Sequence, residues 1–175
     1  MFTFSTQGLT QNAQESFTTT AGVAKPEPQS WVWQKVSEGT ATWFFMDIYN
    51  ATLFSNKAKL PTNFLADNVP LKLKLCYLKA ITPDIFIEGA NAKLPEKLSP
   101  ALKNEVQSLH DAYKAVKPGD CYELEYTPVQ GTVLNLNGKT LFRSQVPNFK
   151  RLYFGIWLVG NPLSDSLKQS LVPEN

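Results

Sequence analysis

The chain has 175 residues, 43% of them hydrophobic and 18% charged, which suits one folded domain and excludes wholesale disorder. Its 17 Lys and Arg against 15 Asp and Glu leave a formal charge of +2, with the basic residues scattered, so no nucleic-acid or charge-driven membrane partner is expected. No run of about 18 apolar residues is present, so no transmembrane segment is read.

Residues 1–29 mix Thr, Gln and Ser and end near Lys25-Pro26-Glu27-Pro28, which reads as a polar amino-terminal arm ahead of a single domain at 30–175. They hold neither a cationic start nor a continuous apolar block, so no signal peptide is read in them. From Trp31 to Lys35 and from Thr40 to Phe54 the chain is rich in aromatic and β-branched residues, and Gly39 between them predicts the turn of a hairpin. Pro61 and Pro70 bracket a loop or short helix.

The segment after Pro70 alternates with period two. Leu71, Leu73, Leu75 and Tyr77 share one face of a strand, and Lys72, Lys74, Cys76 and Leu78 the other. The second face grows apolar toward its end, which predicts cover on both sides there. Thr82-Pro83-Asp84 predicts a capped helix from about Pro83 to Lys93, and Ser99-Pro100 repeats the device. The second helix carries Leu102, Val106, Leu109, Tyr113 and Val116 as one apolar stripe and stops before Pro118-Gly119.

Three short strands follow, Cys121 to Thr127, Thr132 to Leu136 and Lys139 to Arg143. Asn137-Gly138 between the last two accepts the positive φ of a tight hairpin turn. A helix from Pro147 to Leu158 presents Phe149, Leu152, Tyr153, Ile156 and Trp157 on one side, and Ser164 caps a last helix ending near Leu171. Within the third helix, Lys150-Arg151 reads as a solvated face. The whole is α+β.

Few residues offer chemistry. Cys76 and Cys121 are too far apart for a CxxC motif, and with one His they make no zinc site. Lying in strand-like segments, they are expected as buried free thiols; a disulfide between neighbouring strands stays open if the chain is exported. His110 has no Ser, Cys or Asp arrangement near it in sequence, and no catalytic, metal or cofactor site is read.

Several stretches in order resemble one family. Phe149-Lys150-Arg151-Leu152-Tyr153-Phe154-Gly155-Ile156-Trp157-Leu158, with Asn161-Pro162-Leu163-Ser164 after it, is similar to the carboxy-terminal signature of bacterial chalcone isomerase-like proteins. Asp47 to Phe54, Leu75 to Ile81, Lys117-Pro118-Gly119-Asp120 and Asn137-Gly138-Lys139 match further pieces, so the resemblance spans about residues 31–172. It implies an open-faced sandwich, a large antiparallel sheet packed against a layer of helices, and a periplasmic or otherwise exported protein.

In the plant enzymes of that family the resemblance implies an Arg near the first long strand that steadies an anion, helped by Thr and Tyr hydroxyls. Fatty-acid-binding relatives hold a carboxylate with Arg and Tyr. The matching stretch here, Gly39 to Trp43, contains no Arg, and Tyr49 stands near the place of the enzyme's strand Thr. Losing such a donor costs roughly 100-fold to 1000-fold in rate, so chalcone isomerase activity is not expected.

The expected function is therefore a domain binding a small apolar or amphipathic ligand such as a fatty acid. Tyr49, Tyr77, Lys79 and Trp157 are its candidate ligand-binding residues, although Trp157 and Trp43 also suit a core. The alternatives are a structural or partner-binding domain whose cleft is closed, and more remotely an isomerase or lyase of unknown substrate. The oligomeric state is open.

Overall fold

The computed structural model describes residues 31–172. The polar arm at 1–29 lies outside the described residues. Six strands form one antiparallel meander in sequence order: β1 (Gln34–Trp43), β2 (Met46–Ser55), β3 (Leu71–Tyr77), β4 (Cys121–Thr127), β5 (Gly131–Leu136) and β6 (Lys139–Ser144). Helices α1 (Pro83–Asn91) and α2 (Pro100–Ala112) fill the connection from β3 to β4, and α3 (Phe149–Leu158) and α4 (Asp165–Leu171) follow β6. This is the open-faced α+β sandwich.

Register explains the core. Leu53 pairs with Leu73, Leu73 with Leu124, Leu124 with Leu134 and Leu134 with Phe142, a single apolar row across five strands. All five are buried, and each such side chain contributes roughly 1.5–3 kcal/mol against exposure. Because side chains alternate, the opposite face of β3 and β4 is polar: Lys72 pairs with Glu125 at 3.0 Å and Lys74 with Glu123 at 3.2 Å. Half-exposed pairs of this kind add little stability but pin the register.

Cys76 and Cys121 continue that polar row and are joined in a disulfide, with Cα atoms 4.1 Å apart. The expectation of free thiols is thus corrected. The physical reason is register, which sets the two residues directly opposite each other although 45 positions separate them in sequence. Cover on both sides of the strand's end is also not found, since Leu78 is exposed.

Gly39 is not a turn. It lies mid-strand opposite Ala51, and a Cβ there would stand 2.7 Å from Ser170 Cβ, so its small size lets α4 rest on β1. Ser37 Oγ donates to the Leu171 carbonyl across the same contact. The hairpin instead turns at Phe44-Phe45, with Trp43 paired to Met46 and φ of 44° and 64° at the two Phe residues. Positive φ at both central positions is what a two-residue hairpin demands, and Asn137-Gly138 meets the same demand with residues that tolerate it.

Helix starts follow the expected Ser and Pro devices in most places. Ser99 Oγ accepts from Leu102 N and Ser164 Oγ from Leu167 N, whereas the Thr82 hydroxyl makes no capping bond. α2 ends at Ala112, so Tyr113 and Val116 lie past it; Val116 forms a β-bridge with Ile81.

Lys150 corrects the solvated-face reading. Only 2% exposed, its ammonium donates to the carbonyls of Phe64, Ala66 and Val69 at 3.0, 2.6 and 2.7 Å and lies 4.5 Å from the Tyr126 ring centre. Burial pushes its pKa down to about 8, with Asp67 opposing the shift. Arg151, one residue on, is exposed as expected.

Candidate functional site

At the end of the sheet where β1 and β3 finish and β2 begins, sheet and helices part around a cavity of about 530 Å³. The floor is built from inward-facing strand residues, Ala41, Tyr49, Leu75, Tyr77, Tyr122 and Leu124. The register places Tyr49 opposite Ala41 on one side and Tyr77 on the other. The roof comes from Phe86 and Ala90 of α1, Tyr153, Ile156 and Trp157 of α3, and Tyr113 after α2. Clefts that enclose small ligands hold roughly 300–1,000 Å³, so the space is of the right order.

Five phenols face this space, in four states of hydrogen bonding. Tyr49 Oη accepts from Trp157 Nε1 at 3.1 Å, and Tyr113 and Tyr153 hydroxyls meet at 2.8 Å. Tyr122 Oη donates to the Lys114 carbonyl at 2.9 Å and accepts from Lys114 N at 2.7 Å. Tyr77, 4% exposed, has no hydrogen-bond partner for its hydroxyl among the described residues. Tyr77 lines the cavity and its oxygen is not sealed off from that space, so it is free to donate into it.

Most of these rings meet edge to face, with Phe86 tilted against Tyr113. Tyr77 lies 5.4 Å from Phe86 and 6.2 Å from Tyr122, and Phe86 lies 5.1 Å from Tyr113, centre to centre. This ring-on-ring contact fixes the walls without polar groups. Burial raises every one of these pKa values, Tyr49 to about 12, so all five are neutral donors at physiological pH.

Charge is confined to the rim. Lys79 is the lone charged residue of the lining among the described residues, and it is exposed at the mouth, as are Trp43, Met46, Ile85 and Leu163. The chain's two arginines, Arg143 and Arg151, do not line the cavity, which extends the missing Arg from one aligned stretch to the whole site. No carboxylate, imidazole or thiol among the described residues lines it either. The arrangement can hold an apolar body, donate hydrogen bonds to a neutral oxygen inside and meet an anion at the entrance.

Of the sequence candidates, the structure brings Tyr49, Tyr77 and Trp157 together inside and sets Lys79 at the edge. Trp43 is corrected from core to surface at 65% exposure, because the hairpin runs past β3. Tyr122, Phe86, Tyr113 and Tyr153 were not singled out as ligand contacts. Strand alternation from Tyr122 to Leu124 and the apolar stripes that include Tyr113 and Tyr153 mark these three phenols as inward-facing, but no local signal says that inward there means cavity. His110 is buried on the outer side of this wall, stacked on Tyr113, with Nε2 unpartnered. Burial lowers its pKa, so it is a neutral packing residue.

A cleft between sheet and helices, lined by phenols, is where the fold resemblance placed a site. Among solved structures the chain is similar to the crystal structure of a fatty-acid binding protein of Arabidopsis thaliana, with a TM-score of 0.62 at 10% identity, covering 79% of this chain and 85% of that one. At that identity the likeness is one of fold. No curated protein sequence matches the chain significantly. The family model for chalcone isomerase-like proteins matches residues 37–172, from the middle of β1 to just past α4, and the chain belongs to the chalcone isomerase-like family.

Proposed function

We propose that the domain binds a small apolar or amphipathic molecule, such as a long-chain fatty acid, in the cavity between sheet and helices. The observation that carries this reading is the cavity itself: about 530 Å³, walled by aliphatic side chains and rings, with an unpartnered Tyr77 hydroxyl inside. The open cleft favours this reading over the alternative in which it is packed shut. Among solved structures of the same fold, the Arabidopsis protein is one that binds fatty acids.

Charge orients the ligand. A carboxylate taken among neutral phenols would lose its hydration without gaining a cation, so an anionic head belongs at the mouth beside Lys79, with the chain inward. A neutral oxygen, by contrast, can sit deep and accept from Tyr77. An exported, oxidising compartment is part of the proposal. The Cys76–Cys121 disulfide supports it, since such bonds persist there and are rare in the cytosol.

Native mass spectrometry of the purified protein, followed by denaturing extraction, tests the reading. A stoichiometric acyl compound, or uptake of added palmitate, is expected. Lys79→Ala should weaken a fatty acid more than its methyl ester. A clean apo mass with no uptake of either compound would sink the proposal.

A further inference from the structure

The tip of the β1–β2 hairpin is built against its own backbone preference. Phe44 and Phe45 occupy two successive positive-φ positions, where Asn and Gly are favoured and a bulky side chain is strained. Beyond one edge-to-face contact of Phe44 with Trp43 at 5.0 Å, little burial recovers that cost, since Phe44 is 73% exposed and Phe45 fully so, and their neighbours Trp43 and Met46 are 65% and 49% exposed. Pairing of β2 with β3 begins only at Tyr49, so this stretch projects past the sheet as a two-stranded ribbon. Four consecutive apolar side chains thus stand in water at the end of a rigid arm.

Their position is informative. Trp43 and Met46 also line the cavity, and the other exposed apolar residues of its lining, Ile85 at 54% and Leu163 at 38%, complete the rim. The apolar surface therefore runs unbroken from the projecting tip into the ligand cavity. Lys79 adds a cation at the same edge, and the carboxylate nearest the tip, Asp47, accepts a hydrogen bond from Thr42 Oγ1 at 3.0 Å.

We infer that this hairpin tip and rim insert into the interfacial layer of a lipid bilayer, so that an acyl ligand passes between membrane and cavity without crossing water. Two features favour a bilayer over a protein partner. The exposed apolar tip is four residues of a two-stranded ribbon, where a stable protein interface takes roughly 20–30 residues a side. Trp and Phe flanked by a Lys is the pattern of side chains that settle at the headgroup level, where a few apolar groups suffice for shallow, reversible binding. The inference uses the proposed ligand only to say what the contact is for; membrane contact itself stands on the hairpin.

The test uses the full chain and the double substitution Phe44→Asn/Phe45→Gly, which supplies the residues the turn prefers and so keeps or raises the melting temperature. Flotation with phosphatidylcholine vesicles, alone or mixed with phosphatidylglycerol, is expected to carry the wild-type protein upward. The double variant should partition at least about tenfold more weakly, two Phe side chains being worth more than the 1.4 kcal/mol of one decade. Binding of a fluorescent fatty acid in vesicle-free buffer should be equal for the two proteins.

Wild-type protein that stays with the soluble fraction, or a double variant that floats equally well, overturns the inference. So does a dimer that dissolves on the double substitution while vesicles are ignored, which would assign the tip to a second copy. Vesicle binding without any acyl uptake would leave the inference standing and sink the ligand proposal alone.

Discussion

The two ends of the sheet solve the same problem in opposite ways. Where β3 begins, the loop at 61–70 is drawn in by Lys150, whose three ammonium protons meet three backbone carbonyls while Tyr126 covers the charge. Where β3 ends, Tyr77 turns a hydroxyl with no partner among the described residues toward a cavity of about 530 Å³. Buried polar groups are ordinarily satisfied, as the Lys150 ammonium is at the first end, whereas the second end opens onto a cavity. The comparison teaches where to test for function: the more strongly charged and deeply buried group is bonded into the fold, and the plain phenol faces the cavity.

Three measurements break or sharpen this contrast. The largest effect belongs to Lys150→Met, which leaves the Phe64, Ala66 and Val69 carbonyls without their donor. Urea unfolding should show a loss of about 3–5 kcal/mol, with acyl affinity unchanged in the fraction that remains folded. A loss below about 1 kcal/mol would mean that water replaces the ammonium and the end is not a lock.

At the other end the signs reverse. Tyr77→Phe removes a hydroxyl that makes no bond among the described residues, so unfolding free energy should stay within about 0.5 kcal/mol of wild type. Affinity for a ligand with a neutral oxygen, a fatty alcohol or methyl ester, should fall by about 1 kcal/mol, roughly fivefold by calorimetry. A destabilised variant with unchanged affinity would remove Tyr77 from the site.

The smallest effect is a pH dependence at the cavity's outer wall. His110 has its pKa lowered from 6.5 by burial, so between its folded and unfolded values the unfolded chain binds more protons. Stability from this group is complete above about 6.5 and is lost as the pH falls below it. His110→Phe should flatten that acid limb of the unfolding curve; an unaltered limb would place the titration elsewhere.

Much of the fold was legible because it rests on local patterns. The alternation from Leu71 to Tyr77, the Asn137-Gly138 turn and the Ser99-Pro100 helix start each follow from backbone geometry within a few residues. Tyr49, Tyr77 and Trp157 could be placed near the cleft by family resemblance and strand facing. Gly39 and Lys150 were misread for one reason: their roles depend on α4 and on the 61–70 loop, segments distant in sequence. The Phe44-Phe45 turn escaped because its residues contradict the propensity that locates turns, and a local rule fails where a side chain is kept for another purpose.

The sequence by itself determined the order and type of the elements, the apolar rows that meet across the strands and the absence of arginine near β1, since periodicity and composition act over short spans. Only the tertiary structure decided that Cys76 meets Cys121, that Lys150 is buried and fully bonded, and that the phenols surround a void instead of a filled core. Whether inward-facing residues meet or stand apart depends on how sheet and helices diverge, a geometry summed over the whole chain and written in no single segment of it.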